Sequence, residues 1–309
     1  MRIGVDVGGT KCLAVAVDDG NAVVEELRVP TPNGPDAVVD AIAEAVCALT
    51  SPVDSIGVGI AGLVDRTGTL RVSPNLPGLI DLRLGARLAE RLGTAVSVDN
   101  DATCAAWGEH EAGVARGTSH AVLVTLGTGI GAGIVVDGRI ERGVNGFAGE
   151  PGHMIVDPDG PRCPCGRRGC WERYASGSGL GRLARDAAMA GRLDGVVELA
   201  GGDAEAVRGE HVTAAARSGD SEAIEVMDDF GWWVALGIAN LVNILDPEMV
   251  VIGGGLVEAG ELLLKPVRAA YQELVMSADH RPPVAIVPAQ LGEHAGAIGA
   301  ALLSSDVLA

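Results

Sequence analysis

Two stretches decide the fold, "VDVGGTKCLAVAVDDG" (residues 5–20) and "VTLGTGIGAGIVVDG" (residues 124–138). Each reads as a strand, a Gly/Thr turn, an apolar strand and an Asp-Gly turn. At a constant offset of 119 positions Gly8 falls against Gly127 and Asp18 against Asp137, with no gap. Chance likeness between two glycine-rich hairpins is the competing explanation. The unbroken register favours a duplicated unit.

Around these hairpins, apolar strands such as "SIGVGIAG" and "AVSVDND" alternate with helical segments. These include "PDAVVDAIAEAVCALT", "DLRLGARLAERLG" and "ATCAAWGEHEAG", the pattern of a sheet covered by helices. The 309 residues exceed one small core, and 45 glycines are too many for an all-helical bundle. An α/β protein of two lobes follows. The span from Leu180 to Gly219 reads as a helical insertion.

The formal charge of −18 repels phosphate backbones and anionic lipid, which argues against nucleic-acid and membrane partners. The N-terminus lacks the apolar stretch of a secretory signal, so a cytoplasmic location is expected. "GWWVALGIANLVNIL" (residues 231–245) is too short for a span and contains Asn240 and Asn243, so it reads as a buried helix.

"DVGGTK" places Gly8 and Gly9 where a strand turns, so backbone N–H groups can approach an anion without interference from a Cβ. Thr10 adds a hydroxyl, Lys11 a point charge, and Asp6 is placed to hold Mg²⁺ directly or through water. Gly127, Thr128 and Gly129 repeat this chemistry in the second half. A plain tight hairpin is the alternative for either turn alone. Gly253, Gly254 and Gly255 end a strand and precede "LVEAGELLLKPVRAAYQEL", read as a helix whose N-terminus suits a nucleotide. The Gly-x-Gly-x-x-Gly spacing of a dinucleotide site is absent there.

"VDNDA" (residues 98–102) ends a strand and opens a helix. Phosphoryl transfer to an alcohol requires an acceptor for the hydroxyl proton, and Asp101 is the candidate, with a plain N-cap as the alternative. Cys163, Cys165 and Cys170 lie within eight positions, and His153 precedes them by ten. Three thiolates and an imidazole complete a closed tetrahedral Zn²⁺ site, which is structural rather than catalytic. A redox pair of Cys163 and Cys165 is the alternative. The clipped segment carries Glu150 and Glu172 at its two ends, carboxylates suited to accept hydrogen bonds from sugar hydroxyls. Through its second ring nitrogen, His153 can donate to a hydroxyl while ligating the metal.

Together "DVGGTK", "VDNDA", "LGTGIGAG", "GEPGHM", "CPCGRRGCWERYASG" and "VVIGGG" resemble the ROK family of sugar kinases and regulators, and within it the bacterial glucokinases. The likeness runs from Arg2 to about Ala301. It implies an actin-like ATPase (ribonuclease H-like) fold with two duplicated lobes around a cleft. The N-terminal lobe would be 1–117, with a C-terminal helix at about 294–309 packing back on it. The larger C-terminal lobe would be 118–293, carrying a zinc loop at 153–172. Position by position the resemblance makes Asp101 the base. It assigns Gly62, Asn75, Asn100, Glu150, His153 and Glu172 to the sugar, and His153, Cys163, Cys165 and Cys170 to zinc. The family often has Pro where this chain has Ala61. The activity implied is phosphorylation of glucose at the 6-hydroxyl by ATP with Mg²⁺, in a homodimer or homotetramer. Kinases of N-acetylmannosamine or N-acetylglucosamine are the nearest alternative, and polyphosphate is an alternative donor. A sugar-sensing transcriptional regulator and an actin-like polymerising or chaperone ATPase are the non-kinase alternatives. Regulators of the family carry a DNA-binding module before the first strand, whereas strand one here starts at residue 2.

Overall fold

The computed structural model describes residues 1–50 and 53–306. The first half runs β1 (Arg2–Val7), β2 (Lys11–Val17), β3 (Val23–Pro30), α1 (Pro35–Ala48), β4 (Ser55–Ile60), β5 (Leu63–Val64), β6 (Leu70–Val72), β7 (Ile80–Leu82), α2 (Leu84–Leu92), β8 (Val96–Asn100) and α3 (Asp101–Glu111). Then come β9 (Ala121–Leu126), β10 (Ile130–Val136), β11 (Arg139–Glu141), α4 (Glu172–Ala175), α5 (Gly177–Met189), α6 (Asp194–Leu199), α7 (Gly209–Arg217), α8 (Ser221–Leu245), β12 (Met249–Gly253), α9 (Glu261–Leu274), β13 (Ala285–Pro288) and α10 (Ala295–Asp306). The last residues of the C-terminal helix expected at 294–309, namely 307–309, lie outside the described residues.

The sequence repeat is a repeat of topology. One sheet has the order β3-β2-β1-β4-β8 and the other β11-β10-β9-β12-β13. Shifting the limits of β1 and β2 by 119 positions gives the limits of β9 and β10. By contact density the chain divides into one unit of Met1–Leu123, Ala132–Gly149 and Ala289–Ala309 and another of Val124–Gly131 and Glu150–Pro288.

In the first unit β1 pairs antiparallel with β2 and parallel with β4, which pairs parallel with β8. Asp6, Gly59 and Asp99 thereby lie in one row across the sheet, and Val7, Ile60 and Asn100 in the next. Those rows are the carboxyl ends of three parallel strands, where open α/β sheets place ligands. Both faces of the sheet are covered, so β2 is apolar from Cys12 onward: Cys12, Ala14 and Ala16 pack toward α1, and Leu13, Val15 and Val17 toward α10.

Glycine allows α10 to approach this closely. A Cβ at Gly4 would lie 1.8 Å from the Ala297 carbonyl oxygen, and one at Gly57 would lie 1.8 Å from that of Ala300. On the other side of α10, Gly299 meets α3, where a Cβ would lie 1.6 Å from the Cys104 oxygen.

Two expected helices begin later than the sequence pattern implies. The helix expected from Asp81 starts at Leu84, because Ile80–Leu82 joins the small β5-β6-β7 sheet and Asp81 has φ 49°. The helix expected directly after Gly253–Gly255 is a 3₁₀ turn over Gly255–Ala259, and Gly260, at φ 62° and ψ −132°, separates it from α9. The positive end of α9 therefore does not sit at the glycine cluster.

The contact at Gly299 yields a stability prediction. Gly→Ala within a helix gains up to about 1 kcal/mol of intrinsic propensity, but overlap with a backbone carbonyl costs more, typically about 1–3 kcal/mol. Gly299→Ala is therefore expected to lower the thermal unfolding midpoint, read by circular dichroism. A raised midpoint would mean that α10 is not seated as described.

Candidate active site

Within the first unit the candidate residues cluster at the strand ends. The β1–β2 turn is closed by Gly8 N–H donating to Lys11 O at 3.0 Å, and Gly9 lies against Asn75, whose carbonyl oxygen would be 3.1 Å from a Cβ there. Lys11 Nζ donates to Glu293 at 3.0 Å, and Arg28 grips the same carboxylate with two bonds of 2.7 and 2.8 Å. These cations hold the Glu293 carboxyl down at about 2, Arg28 contributing most. The point charge expected for a phosphate is thus engaged by a carboxylate that lies far from it in sequence.

The helix cap on α3 is Asn100 and not Asp101. Asn100 Oδ1 accepts from the Ala102 and Thr103 N–H groups at 2.9 and 3.1 Å, and its Nδ2 donates to Gly62 O at 3.1 Å. Gly62, at φ 136°, sits so close to Val72 O that a Cβ would lie 2.4 Å away. Asp101 is the first helical residue, and its Oδ1 accepts from Ala102 N–H at 2.9 Å. Asp6 and Asp101 keep some contact with solvent although protein atoms surround them. Burial pushes the Asp101 carboxyl up. Burial first, and then the charge of Asp101, bring Asp6 up to about 7 against a pull downward from Lys11. Gly296 on α10 makes room for Asp6, since a Cβ there would lie 2.9–3.2 Å from its carboxyl atoms.

Within the second unit the β9–β10 turn is closed by Gly127 N–H on Gly129 O at 3.0 Å. Gly127 O accepts from Gly177 N–H at 2.8 Å and Thr128 O from Ser178 Oγ at 2.8 Å, so the start of α5 fixes the turn. Gly254, at φ 81°, stacks on Leu126 with a would-be Cβ 2.5 Å from its oxygen, while a Cβ at Gly255 would meet nothing within 4 Å. The third glycine cluster therefore borders the turn.

Glu172 joins that turn to the cysteine loop. Its Oε2 accepts from Ile130 N–H at 3.0 Å beside Gly129, and its Oε1 lies 3.8 Å from Cys163 Sγ. One donor atom from each of His153, Cys163, Cys165 and Cys170 comes within 4.8 Å of the others. Cys165 and Cys170 sulfurs are 3.5 Å apart, and Cys163 Sγ is 3.8 Å from His153 Nδ1. A tetrahedral centre with metal–sulfur bonds of about 2.3 Å needs edges of about 3.8 Å. The donor set fits a zinc-sized ion. His153 Nε2 faces Glu150 at 3.9 Å, so the two ring nitrogens have separate neighbours.

The loop has its own anchor. Trp171 is fully buried, donates Nε1–H to Trp233 O at 2.7 Å, and lies on Gly237 of α8, where a Cβ would be 1.9 Å from the indole. Sequence reading did not single out Glu293, Arg28 or the ion pair of Asp99 with Arg142. Each pairing joins residues far apart in the chain, and no local spacing points from one partner to the other.

The model of the ROK family matches residues 2–307. The chain is 39% identical to a glucokinase of Streptomyces coelicolor over 99% of this chain and 98% of that protein. It is 36% identical to a glucokinase of Thermotoga maritima over 98% and 97%. The crystal structure of a ROK family glucokinase from Streptomyces griseus in complex with glucose and AMPPNP superposes with a TM-score of 0.88 at 38% identity, covering 99% of both chains.

The titration of Asp6 has a measurable consequence. Its folded value lies above the ordinary 3.8, so the stability it confers is complete below about pH 4 and is lost as the pH rises to about 7. In protein free of metal and nucleotide, native stability should fall relative to Asp6→Asn by about 2 kcal/mol between about pH 5 and about pH 8. Urea midpoints at the two pH values test this, and parallel profiles would show that Asp6 is not buried as an acid.

Proposed function

The chain belongs to the ROK family, and from that membership we infer a glucokinase that transfers the γ-phosphoryl group of ATP to the 6-hydroxyl of glucose. Full-length likeness to the Streptomyces griseus glucokinase solved with glucose and AMPPNP carries this reading. The fold is that of the actin-like ATPases, with the strand order repeated in two sheets.

Asp101 accepts the proton of the attacking hydroxyl. Two features support it in that role: Asn100 has taken over the capping, and burial raises the basicity of the Asp101 carboxylate toward that of an effective base. Asn100, Gly62 and Asn75 lie around the same strand ends and bind the sugar, as do Glu150, His153 and Glu172 at the two ends of the cysteine loop. A sugar lacking a hydroxyl expected by one of these polar groups is rejected, because the group is left unpaired.

The turns at Gly8, Gly9, Thr10 and Lys11 and at Gly127, Thr128 and Gly129 present backbone N–H groups to the phosphates. Gly253, Gly254 and Gly255 flank the nucleoside. Asp6 is the side chain placed to hold Mg²⁺, which accompanies the nucleotide and offsets charge on the transferring phosphoryl group.

His153, Cys163, Cys165 and Cys170 hold Zn²⁺, which supplies a rigid crosslink with no open position. That crosslink fixes Glu172 and the His153 ring. The tautomer that ligates through Nδ1 keeps Nε2–H available as a donor toward Glu150 or a hydroxyl.

Purified protein is expected to phosphorylate glucose with ATP in a coupled assay. Asp101→Asn should retain glucose binding by calorimetry but lose about 10²–10⁴-fold in kcat. Near-native turnover by that variant would exclude Asp101 as the base. Metal analysis should find zinc in the native protein. Cys165→Ser should lose it, with a raised KM for glucose and a lower thermal midpoint. Zinc-free native protein with unchanged glucose kinetics would refute the role given to the loop.

A further inference from the structure

We infer that Asp99 and Arg142 are a positioning pair, which holds the end of β8 that carries the base and the segment that leads into Glu150 in one fixed arrangement. The inference rests on the glucokinase reading for its kinetic consequences.

Asp99 is two residues before Asp101, and its carboxylate has two tasks. Oδ1 accepts from Asn100 N–H at 2.8 Å, and Oδ2 is paired with Arg142 Nε. Both side chains are largely withdrawn from water, 13% and 20% exposed, so removing either leaves its partner charged and poorly solvated.

Arg142 opens a loop pinned to the same unit at several further points. Ala148 N–H donates to Arg142 O at 3.2 Å, and Arg66 Nε donates to Gly143 O at 2.8 Å. Gly146 lies on the backbone of Asp65 and Arg66, where a Cβ would come within 2.9 Å of Arg66 N. Gly149 O accepts from Ala132 N–H at 3.1 Å, and the next residue is Glu150. The guanidinium of Arg142 is the only one of these anchors that reaches β8. The β1–β2 turn makes none of these contacts, so loss of the pair should disturb the sugar side of the reaction and spare the nucleotide side.

Beside the pair is a cavity of about 310 Å³, bordered by Asp99, Arg142, Arg66, Ser97, Ala300 and Leu303 among others. A guanidinium ion can occupy space of this size next to Asp99 once the Arg142 side chain is removed.

Arg142→Ala is expected to lower kcat/KM for glucose by about 10- to 100-fold, as for a misplacement of reacting groups by about 1 Å, while KM for ATP is unchanged. Guanidinium chloride, far below unfolding concentrations, should restore much of the lost kcat/KM for glucose, and sodium chloride at equal ionic strength should not. Arg142→Lys, which keeps the charge, should fall between. Asp99→Asn, which keeps an acceptor for Asn100 N–H, should show the same loss without rescue. Native glucose kinetics in Arg142→Ala, equal damage to both substrates, or rescue by sodium chloride would overturn the inference. Amide hydrogen exchange reads the pair without substrate. Arg142→Ala should deprotect Asn100 and Ala148 but not Gly8, and unchanged exchange would overturn the pairing even if the native protein failed to phosphorylate glucose.

Discussion

The structure of the first unit depends on how closely α10 lies on its sheet. Backbone meets backbone at Gly4, Gly57 and Gly299, where any side chain would overlap a carbonyl. Through this contact the end of the chain covers the same strands whose carboxyl ends carry Asp6, Asp99 and Asn100, and Gly296 leaves the Asp6 carboxyl its space. Packing and function meet here. The helix that closes the core also withdraws water from an acid, and that withdrawal is the main cause of the raised Asp6 titration.

The second unit reaches its arrangement by other means. Its cysteine loop has isolated bridges between Ile155 and Cys170 and between Arg162 and Arg168 in place of strands or helices. Its attachments include Trp171 on Gly237 and Glu172 on Ile130 N–H. Glu172 is thereby a shared element, since the same carboxylate touches the phosphate-type turn and approaches a candidate metal ligand. Ordering the loop costs backbone entropy of about 1–2 kcal/mol per residue, a cost of the kind that a structural metal offsets.

Much of this was legible in the sequence wherever the signal was local or repeated. The offset between residues 5–20 and 124–138 marked two equivalent hairpins, and the strand limits reproduce that offset. The cysteine spacing with His153 gathered four donors that the fold brings together. Local pattern failed where tertiary contacts decide. Leu82 has the apolar character that both a helix and an edge strand accept, and pairing with Leu70 settled it as strand. After Gly253–Gly255 the apolar residues suggested a helix, but Gly260 takes a φ that breaks it. The division of labour between Asn100 and Asp101 was also hidden, since both residue types cap helices well and only the backbone position of each separates them.

The charged pairings that the motifs did not reveal follow one rule. Lys11 and Arg28 are both held by Glu293, and Arg142 is held by Asp99, each partner lying far away in the chain. A protein with 41 acidic and 23 Lys or Arg residues has carboxylates in excess, so a cation in a crowded region has a carboxylate to pair with. The positive charges of Lys11, Arg28 and Arg142 are accordingly held in ion pairs. For an incoming anion the immediate consequence is that the β1–β2 turn offers neutral N–H groups first, because Lys11 reaches a phosphate only by exchanging one carboxylate for another acceptor. On the proposed reading the site is acidic in its average field and still takes a polyanion, because the anion brings a cation of its own to sit beside Asp6.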